Sequence, residues 1–155
     1  MTRTPALIAT ALLSALLPAG IAAARTGAPA AHASRTTVIA LRSTSVGRIL
    51  VNGSGHIVYM FTHDHGARNS CMAISECSET WPSLTTTGRP KAGAGVRQSL
   101  LSTITLRGGR KQVTYAGHPL YLYSVDAGTG DTSYVGERAF GGNWLALSAS
   151  GHAIR

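Results

Sequence analysis

An all-β fold, a small antiparallel sandwich or barrel made of two tandem β-hairpin repeats with little or no helix, is predicted by three observations. One short segment occurs twice without gaps, runs rich in Val, Ile, Tyr and Thr flank Gly-containing turns, and no long stretch beyond the N-terminal region shows helical periodicity. The repeated segment reads Gly-His-x-apolar-Tyr-apolar-aromatic-Ser/Thr-x-Asp, at residues 55–64 (GHIVYMFTHD) and 117–126 (GHPLYLYSVD). A tryptophan trails each copy at nearly equal distance, in Trp81-Pro82-Ser83-Leu84 and in Trp144-Leu145-Ala146-Leu147.

The chain opens with features of a cleaved secretory signal over residues 1–24: Arg3, an apolar run over residues 6–17, and the small residues Ala22-Ala23-Ala24. That run is shorter than the roughly 20 residues that span a bilayer, and Pro18 and Gly20 follow it, which argues against a retained anchor and against any transmembrane segment after cleavage. Ala31-His32-Ala33 is a second, less favourably placed cleavage pattern. Residues 25–37 are expected to be a flexible segment, and residues 38–155 a single β-domain with repeats at about 46–84 and 111–148.

Within that domain, residues 48–52 and 56–61 are expected to pair around Gly53-Ser54-Gly55, and residues 111–115 and 118–123 around Ala116-Gly117. Residues 88–95 read as an exposed loop, residues 100–106 as a further strand, and residues 144–148 with 151–154 as a third, incomplete hairpin. Strand side chains alternate between faces, so Tyr59 and Phe61 share one face and Val58 and Met60 the other, a pattern repeated by Tyr121 with Tyr123 and Leu120 with Leu122. Strands apolar on both faces belong in the middle of a packed structure.

Composition excludes more than it assigns. Charged residues are 13% of the chain, about half the usual share, and 18 glycines accompany them, which suits closely spaced turns. The formal net charge is +8, which favours anionic surfaces, but the basic residues are scattered and only 107–111 is dense. No helix-turn-helix, zinc finger or aromatic RNA platform is present, so a nucleic-acid partner is not expected. An anionic cell-wall polymer or an envelope protein is the expected partner of a monomeric chain. Cys71 and Cys77 are the only cysteines, and in an exported chain they imply one disulfide. Their C-x5-C spacing fits a zinc or thioredoxin-like pair less well, although thiolate ligation or a redox role is the alternative.

The signature Tyr59-Met60-Phe61-Thr62-His63-Asp64, repeated as Tyr121-Leu122-Tyr123-Ser124-Val125-Asp126, resembles a bacterial family known as secreted repeat of unknown function, whose members are commonly described as predicted lipoproteins. The resemblance runs from about Val46 to Ile154 and takes in Cys71, Cys77, Trp81-Pro82, the 111–115 strand and Gly130-Asp131-Thr132. It implies a secreted domain and no particular activity. No cysteine follows the signal segment to accept lipid, so the chain looks like a soluble relative rather than a tethered one.

The chemistry-bearing residues have two readings each. Asp64 and Asp126 could face one another as the carboxylates of a hydrolase, but an aspartate just past a strand end commonly accepts backbone N–H groups, or here the motif tyrosine hydroxyl, and no nucleophile or base accompanies the pair. His63 and His65, two apart on an extended chain, with His56 on the same hairpin, are the candidate ligands for copper or zinc; a solvated turn is the competing reading, because Val125 and Ala127 replace them in the second copy. Residues 126–131 lack the alternating oxygens of a calcium loop. Tyr59, Phe61, Tyr121, Tyr123, Trp81 and Trp144 could line a ligand cleft, but aromatics at alternating strand positions are more commonly core. The expectation is thus a non-catalytic binding or envelope-associated module without a cofactor, with a metal-binding or redox-linked protein as the alternative.

Overall fold

The computed structural model describes residues 36–126 and 128–155. The expected signal peptide and most of the expected flexible segment lie outside the described residues. Thr37, at the end of that segment, is held by hydrogen bonds: its N–H reaches Thr86 Oγ1 at 3.2 Å and its hydroxyl reaches the Thr85 carbonyl at 2.8 Å.

The chain begins with an antiparallel hairpin of β1 (Val38–Thr44) and β2 (Gly47–Asn52), in register from Thr44↔Gly47 to Ile39↔Asn52. The Val-Ile-Ala-Leu run of β1 lacks the alternation that marks a half-buried strand, so the sequence gives it no strand signal of its own. The expected loop over residues 88–95 also contains structure. Within it, β5 (Lys91–Ala92) runs parallel to Val38 and Ile39, and Gly93 N–H bonds the Ile39 carbonyl at 2.7 Å. Two residues beside a buried proline carry no strand signal of their own; β1 supplies the template.

After β2 the chain turns through Gly55 (φ +87°), a conformation glycine adopts without strain, and re-enters along β2 with Asn52 N–H bonded to the His56 carbonyl at 2.8 Å and Val58 N–H to the Leu50 carbonyl at 3.2 Å. It then leaves β2, and Tyr59–Phe61 forms β3 against a different neighbour. The change of partner explains why the first motif strand is shorter than residues 56–61. A 3-10 turn (Cys71–Ala73) and a four-residue helix α1 (Cys77–Thr80) follow, and Cys71 and Cys77 are joined in a disulfide. Both sulfurs are therefore covalently committed and neither is a thiolate ligand. For so short a ring the loop-entropy contribution is about 2 kcal/mol.

The second half repeats the plan. A 3-10 turn (Gln98–Leu100) leads into β6 (Leu101–Thr105), which pairs with β7 (Lys111–Tyr115); β8 (His118–Pro119) returns along β7 and then leaves it, as the first copy leaves β2. β9 (Arg138–Ala139), β10 (Gly142–Leu147) and β11 (Ala153–Ile154) complete the fold, with β10 and β11 forming the expected C-terminal hairpin.

The two halves are intertwined through their tryptophan segments. β10, which carries Trp144, pairs with β3 of the first copy, in register Trp144↔Phe61 and Ala146↔Tyr59. The Trp81 segment pairs with the second copy: Leu122 N–H reaches the Pro82 carbonyl and Leu84 N–H the Leu120 carbonyl, both at 2.9 Å, and β4 (Thr85–Thr86) continues along β7. Each copy therefore takes its tryptophan strand from the other. The architecture is all-β; among the described residues there are three sheets, single-residue bridges join Tyr121 to Tyr59 and to Ser83, and no sheet closes into a barrel.

Alternation along the motif strands sorts the interior into two layers. Val58, Met60, Leu120, Leu145 and Leu147 share one buried cluster with Ile39, Leu50 and Val113. Tyr59, Phe61, Tyr121, Trp81, Trp144 and the disulfide share the other. Both faces of the motif strands are covered, as strands apolar on both sides require.

Candidate functional site

The centre of the molecule is an antiparallel bridge between the two motif tyrosines. Tyr59 and Tyr121 exchange both backbone hydrogen bonds, each 2.9 Å, which places a local twofold axis between the copies. The side chains obey it. Tyr59 meets Trp81 edge-on at 5.1 Å and 76°, and Tyr121 meets Trp144 at 5.1 Å and 87°. The two indoles stack on one another at 4.1 Å and 4°. Phe61 then covers Trp144 at 4.1 Å, and Tyr123 covers Trp81 at 4.5 Å. All of these rings except Tyr123 are buried, and each favourable ring pair adds about 0.5–1.5 kcal/mol beyond its area. Gly142 permits the Phe61 end of the stack: a Cβ there would stand 2.6 Å from Phe61 Cε2 and 3.0 Å from the His63 nitrogen. Neither indole N–H has a hydrogen-bond partner among the described residues.

The motif aspartates break this symmetry. Asp64 is fully engaged, with Oδ1 accepting the Ser70 N–H at 2.7 Å and Oδ2 accepting the Tyr121 hydroxyl at 2.8 Å. The tyrosine–aspartate bond thus forms between copies, not within one. The equivalent bond on the other side is missing: the Tyr59 hydroxyl and both oxygens of Asp126 are buried without a hydrogen-bond partner. His56 Nδ1 stands 3.7 Å from Asp126 Oδ2, beyond hydrogen-bond range. Burial raises both tyrosine hydroxyls far above the ordinary phenol range, with the charge of Asp126 adding to it at Tyr59 and that of Asp64 at Tyr121.

Burial also raises both carboxyls. At Asp64 the Ser70 and Tyr121 hydrogen bonds oppose it; at Asp126 the nearby His56 opposes it and Asp131 reinforces it. A carboxyl raised in the folded state binds its proton more tightly there than in the unfolded chain, so stability falls as pH rises from about 4, the unfolded value, through the folded one. Urea unfolding at a series of pH values from 4 to 7 should show this loss, and Asp126→Asn should make the profile shallower. A profile identical in the variant would mean that Asp126 is not desolvated.

The remaining expected site residues do not converge. His63 and His65 are exposed, their rings 6.0 Å apart, with His63 stacked beyond Phe61 at 5.7 Å. His56 instead lines a cavity of about 200 Å³ with Asn52, Leu122, Tyr123, Ser124 and Asp126. No group of three or more His, Cys, Asp or Glu able to hold a metal ion occurs among the described residues. Asp64 does not line the Asp126 cavity.

A second feature is assembled only by folding. β6 lies at the edge of its sheet and borders two grooves. One, of about 480 Å³, is lined by Ile104 and Thr105 together with Arg68 and Arg107; the other, of about 290 Å³, by Leu101, Ser102 and Thr103 together with Arg89 and Lys111. All four cations are exposed, none is in a salt bridge among the described residues, and no carboxylate lines either groove. The sequence shows the dense 107–111 segment but not that Arg68 and Arg89 join it.

Fold and centre together define a tandem β-repeat whose two copies share one aromatic interior. Residues 102–148 match the model of a family described as a secreted repeat of unknown function, the family that the duplicated motif resembles, and that description places the protein outside the cytoplasm. No curated protein and no solved structure matches the chain. No helix among the described residues is long and apolar enough to cross a membrane.

Proposed function

We propose that the protein is a non-catalytic extracytoplasmic binding module that holds an anionic polymer of the cell envelope along β6. The observation that carries this reading is the pair of grooves flanking that edge strand, lined by Arg68, Arg89, Arg107 and Lys111 and by no carboxylate. A polymer bearing regularly spaced negative charge can engage several of these cations at once, and the net charge of +8 draws it towards the surface. The edge strand adds unpaired backbone donors to the same face. A copper or zinc function has less support, since it rests on His63 and His65 with His56 placed in a different cavity.

Co-sedimentation with purified cell wall, with polyphosphate as a soluble probe, tests the proposal. Retention should be strong at low salt and largely lost near 0.5 M salt, where screening is effective over roughly 4–5 Å. The quadruple variant Arg68→Ala, Arg89→Ala, Arg107→Ala, Lys111→Ala should weaken polyphosphate binding by at least tenfold. Absence of retention at low salt would sink the proposal.

A further inference from the structure

The local twofold axis supplies an internal control for the second aspartate. Around Asp64 the fold provides two donors, Ser70 N–H and Tyr121 O–H. Around Asp126 the corresponding tyrosine hydroxyl donates to nothing, and in the following loop Ser133 gives both its N–H (2.9 Å) and its hydroxyl (2.6 Å) to Asp131. Yet the Asp126 side chain is only 5% exposed and Tyr59 is fully buried. A carboxylate so placed without a donor is costly, and the ordinary remedy is a cation with hydrogens to donate. Among the described residues the protein offers His56, whose Nδ1 stands 3.7 Å from Asp126 Oδ2 across the same cavity, at ion-pair distance but beyond hydrogen-bond range. Arg42 is directed along Gly55 and Gly130 and forms no salt bridge with Asp126 among the described residues.

We propose that the cavity beside Asp126 is a binding site for a primary alkylammonium group, with Asp126 as its charged acceptor and Tyr123 as an aromatic wall. The cavity, about 200 Å³, suits an aminomethyl group with a short alkyl stem and is below the usual size of a drug-like site. Leu122 gives the stem an apolar contact, Tyr123 presents a ring to the cation, and Ser124 at the exposed side of the cavity marks the entrance. Asn52 and His56 complete the polar lining. A divalent metal fits less well, because calcium requires six to eight oxygen ligands and zinc a full set of protein ligands, whereas no three-ligand group is present among the described residues. The same ammonium chemistry is offered by a free amine and by a lysine side chain.

Titration of the protein with n-butylammonium and with Nα-acetyl-lysine methylamide, followed by NMR shifts of the residues around Asp126, tests the assignment. n-Butanol serves as the neutral isostere and calcium as the metal. Saturable binding of either ammonium probe and none of butanol is expected; preference for the lysine derivative identifies a protein or peptide source, and preference for butylammonium a free amine. Asp126→Asn should lower affinity at least tenfold. Thermal unfolding guards against misfolding, because Asp126→Asn removes a buried charge that has only the long His56 contact and should leave the midpoint of the ligand-free protein unchanged or higher. The Arg68, Arg89, Arg107, Lys111 quadruple alanine variant should bind the amines normally, which separates this site from the polyanion grooves. No saturable amine binding, equal binding by Asp126→Asn, or binding of calcium alone would each overturn the proposal.

Discussion

Trp81→Ala is expected to lower the unfolding free energy by about 3–5 kcal/mol, the usual cost of truncating a buried large aromatic, and Trp144→Ala to do the same. The magnitude follows from position. Each indole is the stacking partner of the other, the edge-on partner of one motif tyrosine and the platform for Phe61 or Tyr123, so truncation opens a cavity bounded by rings from both copies. Small domains have about 5–15 kcal/mol in total, so either change removes a large fraction of the stability. The exchange of tryptophan strands adds a qualitative expectation. Because Trp81 packs in the second copy's sheet and Trp144 in the first's, damage to either should loosen both copies in one transition rather than melting half of the molecule. Denaturant curves followed separately by tryptophan fluorescence and by far-ultraviolet circular dichroism should coincide for each variant. A residual transition of half amplitude would show that the copies fold independently and that the exchange contributes little.

Why the exchange escapes the sequence is a matter of degeneracy. The period of two along residues 58–61 and 120–123 fixes which side chains share a face, and the structure sorts Tyr59 with Phe61 and Val58 with Met60 accordingly. Period alone does not choose between partners with the same pattern. The segments after Trp81 and Trp144 are near-equivalent, so pairing within a copy and pairing between copies present similar side chains to the motif strand; chain connectivity and the twofold contact of Tyr59 with Tyr121 decide. The motif aspartates illustrate the same limit. That Asp64 could accept a tyrosine proton is readable from the Tyr-x-aromatic-x-x-Asp spacing, but that the donor is Tyr121 is not. A signal for the asymmetry does exist. The segment after Asp64 carries Asn69, Ser70 and the Cys71–Cys77 disulfide, whereas the segment after Asp126 carries Asp131, which takes the Ser133 donors for itself. β5 and the Arg68 and Arg89 contributions to the β6 grooves had no local signal, because each depends on a neighbour distant in sequence.

Asp64→Ala should destabilise the domain by about 2–4 kcal/mol, since it removes two charge-assisted hydrogen bonds and leaves the Tyr121 hydroxyl buried without an acceptor. The equivalent change on the other side should behave in the opposite sense. Asp126 makes no hydrogen bond within range and its ion-pair contact with the partly exposed His56 is long, 3.7 Å, so Asp126→Asn gives up little and relieves a poorly paired charge. The tyrosines should divide likewise: Tyr121→Phe costs about 1–2 kcal/mol, while Tyr59→Phe is close to neutral in the ligand-free protein. A double-mutant cycle over Asp64 and Tyr121 should return a coupling of about 1–3 kcal/mol, and the cycle over Asp126 and Tyr59 one near zero. Equal couplings on the two sides would restore the symmetry and mean that Tyr59 reaches Asp126 in solution as Tyr121 reaches Asp64. Unequal couplings separate the copies by role: the first uses its aspartate to lock the repeats together, and the second keeps the same side chain, at a cost in stability, for something other than folding.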